Sequence, residues 1–228
     1  MLNLPFEWMT LSFGVSALTS FVIIVWFART KTQRLKRNDT SAVQASHLNP
    51  TARIGGLAIV IALIVPAMLS HSADNWNTFV LLLVSATPVF VVGLAEDFGF
   101  LASPRRRLLA ATVSGGVFIA LIGQWVRHTG IPGLDIALHW SPFAVAFSLF
   151  LAVGISHAFN LIDAVIGFLI FNFPFGKIFL GDAGAYVIGH LLFWMSVSIS
   201  WNAPDVSPFA LLLIFFWPIA DTLLAITR

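Results

Sequence analysis

The sequence predicts an all-α fold, a polytopic integral membrane bundle forming one domain over 1–228. It would have about seven spanning helices plus a short non-spanning segment at 164–175. Three observations predict this. The 228 residues are 58% hydrophobic and only 10% charged, where a soluble domain carries about 25% charged residues. The apolar residues come in several runs near the roughly 20 residues that a bilayer crossing takes. The Lys and Arg between those runs are concentrated in alternate loops. Short alternating segments, which a membrane β-barrel would need, are absent.

Taken in order, the predicted spans are about 11–28, 54–70, 78–95, 108–126, 142–159, 184–200 and 208–226. The first has neither a basic stretch before it nor a small-residue cleavage site after it. It reads as a retained helix and not as a cleaved leader. Arg29, Lys31, Arg34, Lys36, Arg37 and Arg53 fall between the first two spans, and Arg105, Arg106 and Arg107 between the third and fourth. Lys177 precedes the sixth and Arg228 follows the last. The loops 71–77 and 201–207 hold no Lys or Arg, and the loop near 127–141 holds only Arg127. The positive-inside rule then puts the N-terminus outside and the basic loops in the cytoplasm. Eleven of the twelve Lys and Arg fit; Arg127 is the exception. Trp76, Trp125, Trp140 and Trp201 fall near the outer ends, as an aromatic belt would.

Parity then requires the fifth span to end inside and the sixth to begin inside. The apolar piece between them, 164–175, has twelve residues, about 18 Å as a helix. It is too short for a hydrocarbon core of about 30 Å. It is expected to be re-entrant, packed against protein, or the remnant of a longer helix.

Three polar clusters fall on the basic side. HLNPTARIGGL (47–57) offers Gly55 and Gly56 for close backbone approach and Arg53 as a planar donor for phosphate. It also reads as a plain helix-start turn with a topology-setting arginine. GLAEDFGFLASPRRRLLA (93–110) carries the adjacent acids Glu96 and Asp97 at a helix end. Magnesium takes one or two carboxylates together with substrate phosphates and water, and Arg105–Arg107 would meet an anion or lipid headgroups. A solvated loop whose arginines only set topology is the competing reading. The third cluster, 157–186, mixes Asn160, Asp163, Asn172, Lys177 and Asp182 with apolar runs. Ionisable groups in such surroundings are costly and point to function. Asn160 and Asp163 share a face if helical. Asp182 sits in a GDAG turn before a helix, as a metal ligand or as an N-cap.

The absence of cysteine excludes disulfides, Cys-ligated metal and thiol nucleophiles. The six histidines show no metal-ligand spacing, and His190, inside a span, reads as a bond to a neighbouring helix. Asp221, near the inner end of the last span, is left open between a structural bond and the site. There is no Walker A, GxSxG or dinucleotide fingerprint. The basic balance marks helix ends and not nucleic-acid binding.

Together, PTARIGGL, GLAEDFGFLASPRRRLL, AFNLID and GFLIFNFPFGKIFLGDAGAYVIG resemble the polyprenyl-phosphate N-acetylhexosamine-1-phosphate transferases (glycosyltransferase family 4). That family includes enzymes that start O-antigen and other surface glycans, and the phospho-MurNAc-pentapeptide translocase. The resemblance runs from about residue 47 onward, with the pieces in family order. It implies a Mg²⁺-dependent transfer of an N-acetylhexosamine 1-phosphate from a UDP-sugar to undecaprenyl phosphate. In that light Glu96, Asp97 and Asp182 are the expected catalytic residues, with Asp97 and Asp182 at the metal. Asn160, Asp163, Arg53, Asn172, Lys177 and Arg107 are expected to contact substrate. Membrane lipids are the other expected partner, and the reading admits a homodimer.

The chain departs from the family pattern in three places. The acid pair is Glu-Asp instead of Asp-Asp. NLIDAV runs directly into IGFLIFN, where the family interposes a stretch on the order of 45 residues by resemblance, which would account for the short piece at 164–175. The family's basic, His-rich loop does not follow PIADTLLAITR. A catalytically weak or inactive family member is therefore the alternative expectation, and a small transporter a third. The transporter reading suffers from acids clustered at one face and from the lack of an internal repeat.

Overall fold

The computed structural model describes residues 55–69, 76–100, 103–162, 180–203 and 205–227, with a few helical positions between 14 and 25. The described residues contain helices and no strand. In chain order the helices are α1 (Gly55–Leu69), α2 (Trp76–Ser85), α3 (Thr87–Asp97), α4 (Pro104–Ile122) and α5 (Pro132–Leu138). They continue with α6 (Ser141–Ile162), α7 (Gly181–Asn202), α8 (Pro208–Leu212), a 3-10 turn (Leu213–Phe215) and α9 (Phe216–Thr227).

Two stretches, Ser141–Phe159 and Gly181–Asn202, are long and apolar enough to cross a membrane, and α2 with α3 makes a third if the bent pair is one span. They coincide with the spans expected at 142–159, 184–200 and 78–95. The expected span at 208–226 is broken by the 3-10 turn. Where a span is expected at 108–126, α4 starts at Pro104 behind an N-cap Ser103 and stops before Gly123, and it is not among the helices long and apolar enough to cross. Gly123 takes a left-handed φ of 74°, a conformation that costs glycine little. The span expected at 11–28 is described only at scattered positions, and 164–175 lies outside the described residues.

α7 is the axis of the bundle. It packs on α1, α3 and α6 and buries Ala183, Tyr186, Val187, Leu191, Phe193, Trp194 and Val197 along its length. Small residues let the backbones close in. A Cβ on Gly189 would lie 2.8 Å from the Ser156 Cα of α6. Phe118 of α4 stacks on Trp194 with ring centroids 4.2 Å apart, adding shape-specific contact to plain burial.

α2 and α3 meet at 43°. Pro88 lies in the first turn of α3, where its ring removes one helical hydrogen bond and crowds the preceding turn. The neighbouring helices satisfy the groups at the bend. Val89 N–H donates to Ser114 Oγ of α4 at 3.1 Å, and Ser85 Oγ donates to the Leu82 carbonyl at 2.7 Å. Ser85 Oγ also lies 2.9 Å from His190 Nε2 of α7. His190 thus bonds a neighbouring helix, as the sequence suggests. The bend sets the direction in which α3 carries Glu96 and Asp97 toward the start of α7.

Candidate active site

Three helix ends converge at one end of the bundle: the C-terminus of α3 and the N-termini of α4 and α7. The start of α1 closes on them. Gly56 N–H of α1 donates to the Leu180 carbonyl just before α7, at 2.6 Å, and Gly56 faces Gly184 with no room for a Cβ on either. A Cβ on Gly93 would fall 2.6 Å from the Ala183 Cα. The sequence predicts close approach at the glycine pair 55–56, and Gly56 provides it. Gly93 has the same role on α3.

Asp97, buried at the end of α3, aims its carboxylate at the first turn of α7. Asp182 N–H donates to Oδ1 at 2.7 Å and Ala183 N–H to Oδ2 at 3.0 Å. A helix leaves its first amides without internal partners, and an anion is favoured there by those amides and by the helix dipole. Asp97 therefore caps α7 from another helix. Asp182 is not the N-cap. That position is Leu180, with no side-chain cap of its own, and Asp182 lies inside the first turn. No donor among the described residues reaches its half-buried carboxylate.

Glu96, also buried, forms an ion pair with Arg107 of α4. Tyr186 of α7 stands beside the same guanidinium, and its ring lies 5.3 Å from that of His157 on α6. Arg107 is thus held by the Glu96 carboxylate, whereas Arg105 and Arg106 are exposed. Sequence reasoning missed Tyr186. It is the chain's sole tyrosine and follows Asp182 by four residues, so both lie on one face of α7; that spacing was the available signal.

The remaining expected residues are only partly placed. Asn160 lies in the last turn of α6 with its side chain outside the description, and Arg53, Asp163, Asn172 and Lys177 lie outside the described residues. Asp221 is exposed on α9. Among the described residues no three His, Asp or Glu side chains come together as a metal cage. Magnesium needs no such cage, since it takes one or two carboxylates and completes its shell with phosphate and water. Asp97 and Asp182, joined at one helix start, fit that donor set. They do not fit a closed structural site of the zinc type.

The family model described as Glycosyl transferase family 4 matches residues 79–165 and 163–200, two segments that overlap at 163–165. The chain is 25% identical over 236 aligned positions to a phospho-N-acetylmuramoyl-pentapeptide-transferase from Staphylococcus carnosus, with 80% of this chain and 72% of the relative covered. It is 27% identical over 204 positions to an undecaprenyl-phosphate alpha-N-acetylglucosaminyl 1-phosphate transferase from Thermotoga maritima, with 79% and 61% covered. A phospho-N-acetylmuramoyl-pentapeptide-transferase from Bacillus subtilis is 26% identical over 231 positions, with 78% and 70% covered. The chain thus spans less than two thirds of the Thermotoga relative. No solved structure matches it.

Proposed function

Because the chain belongs to glycosyl transferase family 4, we propose that it transfers an N-acetylhexosamine 1-phosphate from a UDP-sugar to undecaprenyl phosphate. An oxygen of the lipid phosphate attacks the β-phosphorus of the nucleotide sugar. The bond to the α-phosphate breaks, UMP leaves, and a lipid diphosphate sugar remains. The reaction would lie on the cytoplasmic face of a bacterial inner membrane and begin a surface glycan such as O-antigen.

The observation that carries this reading is the seating of the Asp97 carboxylate on the first turn of α7 beside Asp182. Three acids, Glu96, Asp97 and Asp182, share one end of the bundle with a helix N-terminus and three arginines. Two phosphate groups must approach there, so positive charge has to offset their repulsion. Mg²⁺, held by Asp182 and Asp97, would supply part of that charge and polarise the phosphoryl oxygens. Arg105 and Arg106 suit phosphate contact because they are exposed. Arg107 already answers Glu96, so its part is to fix the floor of the site with Tyr186. The test is incubation of membranes holding this chain with undecaprenyl phosphate, Mg²⁺ and radiolabelled UDP-GlcNAc, then other UDP-N-acetyl-sugars. UMP and lipid-linked sugar that vanish in Asp182→Ala are expected. Turnover unchanged by that substitution or by excess chelator removes the assigned role.

A second reading follows from the overlap of the two family matches at 163–165. Asp163 would lie where the family continues into further chain, so this protein would be a weak or inactive member unless a second copy completes the site. Silence across the whole sugar panel from folded, monomeric protein selects it.

A further inference from the structure

A cleft of about 720 Å³ runs between α6, α7 and the α8–α9 segment, from Trp125, Arg127 and Trp201 at one end to Ala158 and Thr222 at the other. Asp182 and Trp201 stand at opposite ends of α7, about 28 Å apart along a straight helix. None of Glu96, Asp97, Arg107, Asp182 and Tyr186 lines the cleft, so it is separate from the candidate active site. Its interior is apolar, with Phe150, Ile155, Phe193, Val197, Phe215 and Leu223 among its walls. Its mouth is not apolar, because Arg127 stands there with Trp125 and Trp201. The guanidinium carbon of Arg127 lies 3.3 Å from the Trp201 ring centroid and 5.5 Å from that of Trp125. The two indoles meet edge to face at 5.5 Å.

Stacking uses the face of a guanidinium and leaves its N–H donors free in the plane. No carboxylate among the described residues pairs with Arg127. The neighbouring acid, Asp135, is already engaged by Thr129 Oγ1, the amides of Thr129 and Gly130, and His128. Arg127 is also the one basic residue of twelve that stands apart from the basic side of the chain. Setting topology does not account for it. An unneutralised cation, two indoles and a long apolar cleft together suit a ligand with an anionic head and acyl tails.

We propose that this cleft binds one anionic phospholipid, its phosphate at Arg127 and its chains between α6, α7 and α9. This does not depend on the proposed transferase activity. The test is native mass spectrometry of the full chain in detergent, titrated with phosphatidylglycerol and phosphatidylcholine of identical acyl chains. Phosphatidylglycerol should be retained about fivefold better. Arg127→Gln should erase that preference and Arg127→Lys should keep part of it. Gly154 borders the cleft and a Cβ there meets nothing within 4 Å. Gly154→Phe should therefore lower retention of both lipids while leaving the helical circular dichroism unchanged. Equal retention of the two lipids, or a preference that survives Arg127→Gln, overturns the proposal. So does a lipid-free dimer that Gly154→Phe dissociates, which would assign the cleft to a second copy.

Discussion

The carboxylate of Asp97 receives the backbone N–H groups of both Asp182 and Ala183, at 2.7 and 3.0 Å, across a separation of 85 residues. Few contacts in the bundle join such distant parts of the chain through charge. Hydrogen bonds to an ionised group count for more than neutral ones, and buried amides left without partners are costly. Asp97→Ala should therefore destabilise the protein by about 2–4 kcal/mol. Asp97→Asn keeps one acceptor and should fall between the two. Thermal unfolding in detergent reads the order, and an alanine variant that melts with the wild type would remove the capping role. Asp182→Ala, by contrast, should melt close to the wild type, because no described donor is lost.

The Glu96–Arg107 pair gives a second prediction. The Glu96 side chain is 4% exposed and that of Arg107 30%. Removing either partner alone leaves a charge in a poorly hydrated place. A double-mutant cycle of Glu96→Gln and Arg107→Gln should show a coupling of about 1–3 kcal/mol, held below the fully buried range by the exposure of Arg107. Additive single effects would mean that the two charges are solvated independently.

The close approach at the start of α7 predicts a contrast between glycines. Gly93→Ala places a methyl against the backbone of Ala183 and should cost about 1–3 kcal/mol through forced displacement. A methyl on Gly116 of α4 would meet nothing within 4 Å. Gly116→Ala should be neutral or should stabilise by up to about 1 kcal/mol, since alanine is the better helix former. Equal melting of the two variants would contradict the packing at Gly93.

At the bend between α2 and α3, Ser114 supplies the acceptor for Val89 N–H. Ser114→Ala leaves that amide buried and unpaired, at a cost of about 1–3 kcal/mol. Hydrogen exchange should quicken at Val89 more than along α7. A uniform change across the bundle would separate the effect from the bend.

Outside the spans, Asp135 carries a pH prediction. Loss of hydration alone would raise its carboxyl. The Thr129 and Gly130 hydrogen bonds and His128 outweigh it and hold the group below the usual value near 3.8. A depressed folded value means that the contribution is present above the unfolded pKa and is lost as pH falls through the folded one. Exchange at the Thr129 and Gly130 amides should therefore be protected at neutral pH and lose protection only below the usual carboxylate range. Asp135→Asn should weaken that protection at neutral pH.

Parts of this arrangement were legible in the chain itself. The helices at 142–159 and 184–200 follow from uninterrupted apolar length, which is a local property. The gathering of Glu96, Asp97, Arg107 and Asp182 at one end follows from charge placement between such helices. The glycine pair at 55–56 announced a close approach, and its partner Gly184 did not. The end of α4 at Gly123 was hidden because the apolar run continues past the residue that turns the chain. The bend at Pro88 was likewise masked by a continuous hydrophobic run.

By itself the sequence determined a helical membrane bundle, the membership of its motifs in an ordered family set, and the end of the bundle where acids and arginines gather. Apolar length, residue type and motif order are written along one dimension. Only the tertiary structure decided which acid does what. Asp97 caps α7, Glu96 takes Arg107, Tyr186 stands beside that pair, and Asp182 remains without a described donor. Those assignments depend on which side chain reaches a partner first in a space with little water. There an unmet charge or amide is costly, and a displacement of one helix turn would exchange the partners.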